Sequence, residues 1–139
     1  MNAPKRSRIL LIDDDADIGF VVQAILAPLD YEVAYCATGP AGMEAMRHER
    51  PALVLLDIML THPTEGLQVA CQMRQDLQLK NIPIIFMSSM NEVSEREYAR
   101  EVCPIALDAD MFLEKPLDAA TLRDTLEWVL RQKPPGLTS

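Results

Sequence analysis

Four polar clusters close apolar stretches of this chain. Asp13-Asp14-Asp15 follows ILLI, Asp57 ends LVLLD, Ser88-Ser89 follows IIFM, and Lys115-Pro116 follows FLE. Carboxylates brought together at one place repel one another unless a cation sits among them. Oxygen donors that leave open positions for water and a phosphoryl group suit Mg²⁺. A lysine and a hydroxyl beside a metal-bound carboxylate are what phosphoryl transfer onto that carboxylate requires. Positive charge neutralises the phosphoryl oxygens while the aspartate attacks to give an acyl phosphate. That chemistry is available only if one fold gathers the four clusters.

The surrounding elements are of the type that would gather them. Ile9–Ile12, Leu53–Leu56, Ile84–Met87 and the weaker Met111–Leu113 are apolar runs, the first three continuous, as expected of strands covered on both faces of a parallel sheet. Tyr31–Cys36 alternates more, as an edge strand would. Helical patterns lie between the runs. Ile18, Val21, Val22, Ile25 and Leu26 repeat at helix spacing behind Asp15, which suits an N-cap. Thr38-Gly39-Pro40 supplies a capping hydroxyl and an early proline to a second helix. Gly66–Asp76 and the charged Glu92–Val102 are third and fourth candidates. Asp118 caps the last, with Leu122, Leu126, Val129 and Leu130 on one face. The order is βα five times. It predicts an α/β fold, a doubly wound (βα)5 five-stranded parallel sheet with right-handed crossovers, its ligand site outside the C-terminal strand ends.

Composition bounds the rest. The 139 residues suit one domain, with 49% hydrophobic and 24% charged residues, as in ordinary globular chains. A net charge of −8 argues against binding nucleic acid through its phosphates and against anionic membrane surfaces. Cys36, Cys71 and Cys103 are widely spaced with no CxxC, and read as buried thiols of a reducing cytosol rather than a redox or metal set. The apolar run behind the basic N-terminus is too short for a signal peptide, and no stretch is long enough to span a membrane, so a soluble, cytoplasmic domain is expected. His48 and His62 fall at loop or helix-end positions and carry no assigned role. The expected organisation is an extension over 1–6, one domain over 7–132 and a tail over 133–139.

Taken together, ILLIDDDADI, LVLLDIML, PIIFMSS and FLEKP resemble the receiver domain of two-component response regulators, in the right order across residues 7–132. The resemblance implies the flavodoxin-like receiver fold and a role for each matching residue. Asp57 matches the phosphoacceptor, Asp14 the direct metal ligand and Asp13 the acid that holds the metal through water. Met59 would offer its backbone carbonyl to Mg²⁺. Ser88 matches the hydroxyl that bonds the phosphoryl group, Lys115 the lysine that pairs with it, and Phe112 the switch aromatic. Pro116 stands where such domains place a cis peptide bond. Met59 and Met90 flank the path of the hydrolytic water and, being apolar, imply slow loss of the phosphoryl group.

The implied function is a single-domain response regulator or relay intermediate. It would be phosphorylated by the phosphohistidine of a sensor histidine kinase or a histidine phosphotransfer protein, and would switch a protein-interaction surface. It would not be an enzyme beyond its own phosphorylation and dephosphorylation, and would bind neither nucleic acid nor membrane. Two regions depart from the family pattern. In DIMLTHPTEG, Thr61 stands where a receiver has proline and Gly66 comes one residue late, so a longer loop is expected. The interval from Ser88 to Lys115, which holds NEVSEREYAREV, is also long, and the usual output surface there is in doubt. Two alternatives stand beside this reading. A haloacid-dehalogenase-type phosphatase would use Asp13-x-Asp15 as its nucleophile motif, but it would leave Asp57 without a role and has no length for a cap. A pseudo-receiver would bind partners without being phosphorylated.

Overall fold

The computed structural model describes residues 7–58, 65–88 and 111–132. In chain order these form β1 (Ser7–Ile12), α1 (Ala16–Leu26), a 3₁₀ turn (Ala27–Leu29), β2 (Tyr31–Cys36), α2 (Gly39–His48), β3 (Leu53–Asp57), α3 (Glu65–Gln75), β4 (Ile84–Ser88), β5 (Met111–Glu114) and α4 (Ala119–Gln132). The helix expected over Glu92–Val102 lies outside the described residues.

One sheet runs in the order β2-β1-β3-β4-β5, with every pairing parallel. The chain steps from β1 outward to β2, then returns past β1 and builds the other half of the sheet. This reversal opens a crevice beyond the C-terminal ends of β1 and β3, where ligands of open α/β sheets bind.

The continuous apolar runs are explained by the two faces. Leu10, Ile12, Val54, Leu56, Ile84 and Phe86 pack with Met43 and Met46 of α2 and Leu67, Val69, Ala70 and Met73 of α3. Their strand neighbours Ile9, Leu11, Leu53, Leu55, Ile85 and Met87 pack on the other face with Val22 and Leu26 of α1 and Leu122, Leu126 and Val129 of α4. Successive strand residues point to opposite faces, so every position of a doubly covered strand must be apolar. Burying each such Leu or Ile contributes about 1.5–3 kcal/mol. β2 pairs on one side only and is half-buried apart from the exposed Glu32, as expected of an edge strand.

The caps also fall where expected. Asp15 accepts from the Asp17 N–H at 2.9 Å, Thr38 from Ala41 N–H at 3.2 Å, and Asp118 from Thr121 N–H at 2.9 Å. Each serves a first-turn donor that has no partner within its own helix. Val21, one of the apolar residues at helix spacing in α1, is exposed, because the face that meets the sheet is carried by Gly19, Val22 and Leu26.

Candidate functional site

The acidic residues come from the ends of the two strands that flank the crevice. Pairing of β1 with β2 continues one residue beyond the strand, the Asp13 N–H donating to Cys36 O at 3.1 Å. Asp13 is thereby fixed at the strand end and fully buried, and its Oδ1 accepts from the Asp15 N–H at 2.9 Å. Asp14 follows and is exposed. Asp57, the last residue of β3, is buried beside Met87 of β4, and the next N–H, of Ile58, donates to Met87 O at 3.1 Å. Carboxylate oxygens of Asp13, Asp14 and Asp57 lie within 4.8 Å of one another.

The other half of the site comes from β4 and β5. Ser88 is buried and in register with Glu114, and its carbonyl accepts from the Lys115 N–H at 2.7 Å. The Lys115–Pro116 peptide bond is cis, as the family pattern implies. Lys115 Nζ lies 2.7 Å from Asp13 Oδ2 and 3.4 Å from Asp57 Oδ2. Burial pulls the Lys115 pKa down, but the close side-chain contact and charge of Asp13 and the charge of Asp57 outweigh it, so the net shift is upward. Lys115 is thus a charged counter-ion to both acids.

The donor set fits a hard divalent cation. Three carboxylates facing one ammonium leave a formal surplus of two negative charges. Asp13 Oδ2 is fully buried and, despite its close charge contact with Lys115, has no aligned hydrogen bond. A buried acceptor in that condition is costly unless a cation or a further donor completes it. Asp13, Asp14 and Asp57 offer oxygen ligands only, which suits Mg²⁺ rather than a softer metal.

Asp13, Asp14, Asp57, Ser88 and Lys115 therefore converge at one edge of the sheet. Phe112 stands slightly apart, half-buried with its ring centroid 5.3 Å from that of Phe86. Met59, along with Met90, His62 and Cys103, lies outside the described residues. His48 ends α2 and is exposed.

Several features were not apparent from the residue pattern. Gly66 packs on the backbone of Asp57: a Cβ there would collide with the carbonyl oxygen of Asp57 and sit 2.7 Å from that of Ile58. Tyr35 of β2 lies close enough to the acid cluster that burial first, and then the charges of Asp13, Asp14 and Asp15, raise its pKa. The reading of the cysteines as buried thiols needs correction. Cys36 is free but only half-buried, and Cys71 is half-buried on α3 and disulfide-bonded. Disulfides depend on the approach of Cβ atoms in space, so a wide spacing without CxxC does not exclude one.

A family model, the response regulator receiver domain, matches residues 9–127. The chain is 29% identical over 92% of its length to the "Probable transcriptional regulator ycf27" of Porphyridium aerugineum, of which it covers 50%. It is 27% identical to Protein PilH of Pseudomonas aeruginosa, over 89% of this chain and 98% of that protein. The chain spans about half the length of the first curated relatives it matches. Among solved structures, the receiver domain of NtrX from Brucella abortus superposes with a TM-score of 0.76 at 27% identity, covering 88% of this chain and 98% of that one. A CheY-like receiver domain protein of Methanospirillum hungatei shares the fold, with a TM-score of 0.79 at 24% identity over 92% of this chain and 96% of its own.

Proposed function

Because the chain belongs to the response regulator receiver domain family, we propose that Asp57 accepts a phosphoryl group from the phosphohistidine of a sensor histidine kinase or a histidine phosphotransfer protein. The observation that carries this reading is the meeting of Asp57 with Asp13, Asp14 and Lys115 at one strand edge. An Asp57 oxygen attacks phosphorus, the P–N bond to the donor imidazole breaks, and its electron pair stays on the ring. The product is an acyl phosphate on Asp57. Lys115 neutralises charge on the phosphoryl oxygens, and the Ser88 hydroxyl donates to one of them. Asp13, Asp14, Asp57 and the Met59 carbonyl would hold Mg²⁺, which when bound supplies further positive charge to the same oxygens. The packing of Phe112 on Phe86 gives Phe112 a path to respond to the site through the core, and the output is a changed protein-interaction surface rather than turnover of a substrate.

The position of Asp15 supports this reading over the phosphatase alternative, since a carboxylate oxygen that such a motif would need caps α1 instead. The net charge of −8 supports protein partners rather than direct nucleic-acid binding. No helix among the described residues is long and apolar enough to cross a membrane. The deciding experiment is phosphate incorporation from acetyl phosphate, with and without Mg²⁺, into wild type and Asp57→Asn. Mg²⁺-dependent labelling of wild type alone is expected. Labelling of the variant at wild-type level would overturn the assignment, and no labelling of either would favour a pseudo-receiver.

A further inference from the structure

We infer that Glu65 is a positioning residue which, through α2, holds the acceptor Asp57 in place against the acid pair of β1. Glu65 opens α3, and its Oε1 accepts from the backbone N–H of Gly39 at 3.1 Å. Gly39 is the first residue of α2, whose N-cap hydroxyl on Thr38 already serves Ala41. First-turn N–H groups have no partner in their own helix, and the positive end of the helix dipole favours a carboxylate. The bond between the helices is therefore charge-assisted and stronger than a neutral one.

Both ends of this tie bear on the site. At the α3 end the next residue is Gly66, which rests on the Asp57 carbonyl with no room for a Cβ, so a displaced first turn of α3 displaces the acceptor's own peptide. At the α2 end, Gly42 is seated so closely on Ile12 that a Cβ would run into that side chain, and Ile12 immediately precedes Asp13. Packed contacts thus run from Asp57 through α3 and α2 back to β1. Between α2 and α3 Gly39 also lies against Val69, and the Glu65 bond is the part of that step which a single side-chain exchange removes while the packing stays. This inference rests on the reading of Asp57 as phosphoacceptor and metal-site acid.

The test is Mg²⁺ affinity of the unphosphorylated full chain by isothermal titration, together with melting temperature and labelling by acetyl phosphate. Glu65→Ala should weaken Mg²⁺ binding roughly tenfold, the low end of what is lost when the partner supporting a metal ligand is removed. Glu65→Gln keeps an oxygen that can accept from Gly39 but loses the charge that strengthens the bond, and should fall between wild type and alanine. Glu65→Asp keeps the charge but withdraws the oxygen, and should weaken binding as alanine does even if the alanine variant melts too low to titrate. Thr38→Ala removes the other cap of the same helix end, and should lower the melting temperature while leaving Mg²⁺ affinity unchanged. Equal effects of Glu65→Ala and Thr38→Ala on melting, with Mg²⁺ affinity unchanged in both, would reduce Glu65 to an ordinary cap and overturn the inference. So would a Glu65→Gln variant as weak as alanine, since the retained acceptor oxygen would then contribute nothing. Wild type that binds Mg²⁺ without being labelled would sink the phosphoacceptor reading alone, and wild type that binds no Mg²⁺ would sink both.

Discussion

A cation lies between two carboxylates at each end of β1, and the two arrangements behave as opposites. At its start, Arg8 pairs with Glu32 at 2.9 Å and Glu49 at 2.8 Å, both acids being about half exposed. Beyond its end, Asp13 and Asp57 share Lys115, with both acids almost wholly removed from solvent. Each group also holds one buried atom without an aligned hydrogen bond, Arg8 Nε in the first and Asp13 Oδ2 in the second. The first orphan is a donor and the second an acceptor, so only the second can take a cation. Water screens the Arg8 pairs, which makes them weak and dispensable. Desolvation makes the Lys115 cluster costly, and a third acid, Asp14, leaves it in electrostatic deficit. A bound cation would relieve that deficit.

The largest expected effect separates the clusters by chemistry. Asp57→Asn should abolish phosphate incorporation, because the amide is a poor nucleophile, while relief of carboxylate crowding leaves the metal-free domain as stable as wild type or more so. Glu32→Gln, its counterpart at the other cluster, should label normally. Denaturant melts and labelling on the same samples check both halves.

Next in size is removal of the buried cation. Lys115→Ala leaves Asp13 buried and uncompensated and should cost about 3 kcal/mol without Mg²⁺. The double variant with Asp57→Asn should recover part of that loss, since one acid fewer faces the gap. Additive losses in a double-mutant cycle would mean that Lys115 and Asp57 do not interact in solution.

Metal addition should stabilise the wild type by about 2.7 kcal/mol at a hundred times the dissociation constant, because only the folded state gathers the three acids. Asp14→Ala should lose most of that gain, whereas variants of Arg8 should keep it. An undiminished Mg²⁺ shift in Asp14→Ala would place the metal elsewhere.

The smallest effect belongs to the exposed cluster. Arg8→Ala should cost about 1 kcal/mol or less, and the difference should shrink in 1 M salt, where exposed charges are screened. A loss as large as that of Lys115→Ala would erase the contrast between the two ends of β1.

Much of this was legible from residue order because the responsible forces are local or periodic. Strands covered on both faces announce themselves as unbroken apolar runs, and β2, paired on one side, announces itself by alternation. Asp15, Thr38 and Asp118 were identifiable as caps because a cap acts within a single turn. Strand ends of a parallel sheet with regular crossovers fall on one edge, so Asp13, Asp57, Ser88 and Lys115 could be gathered before any contact was known.

What only the tertiary structure decided are contacts between segments that no periodicity relates. Which acid takes Lys115 most closely is such a case: the family pattern pairs the lysine with the phosphoryl group, whereas in the unphosphorylated site it lies nearest Asp13. The seat of Gly66 on the Asp57 carbonyl, the bond from Glu65 to Gly39 across 26 positions, and the engagement of Cys71 in a disulfide are others. Sequence by itself determined the strands, the caps and the edge at which the chemistry collects, because patterning and local hydrogen bonding act over a few residues. The partners within that edge were left to the fold, because they depend on how closely two elements approach, and that distance is set by packing across the sheet rather than by position along the chain.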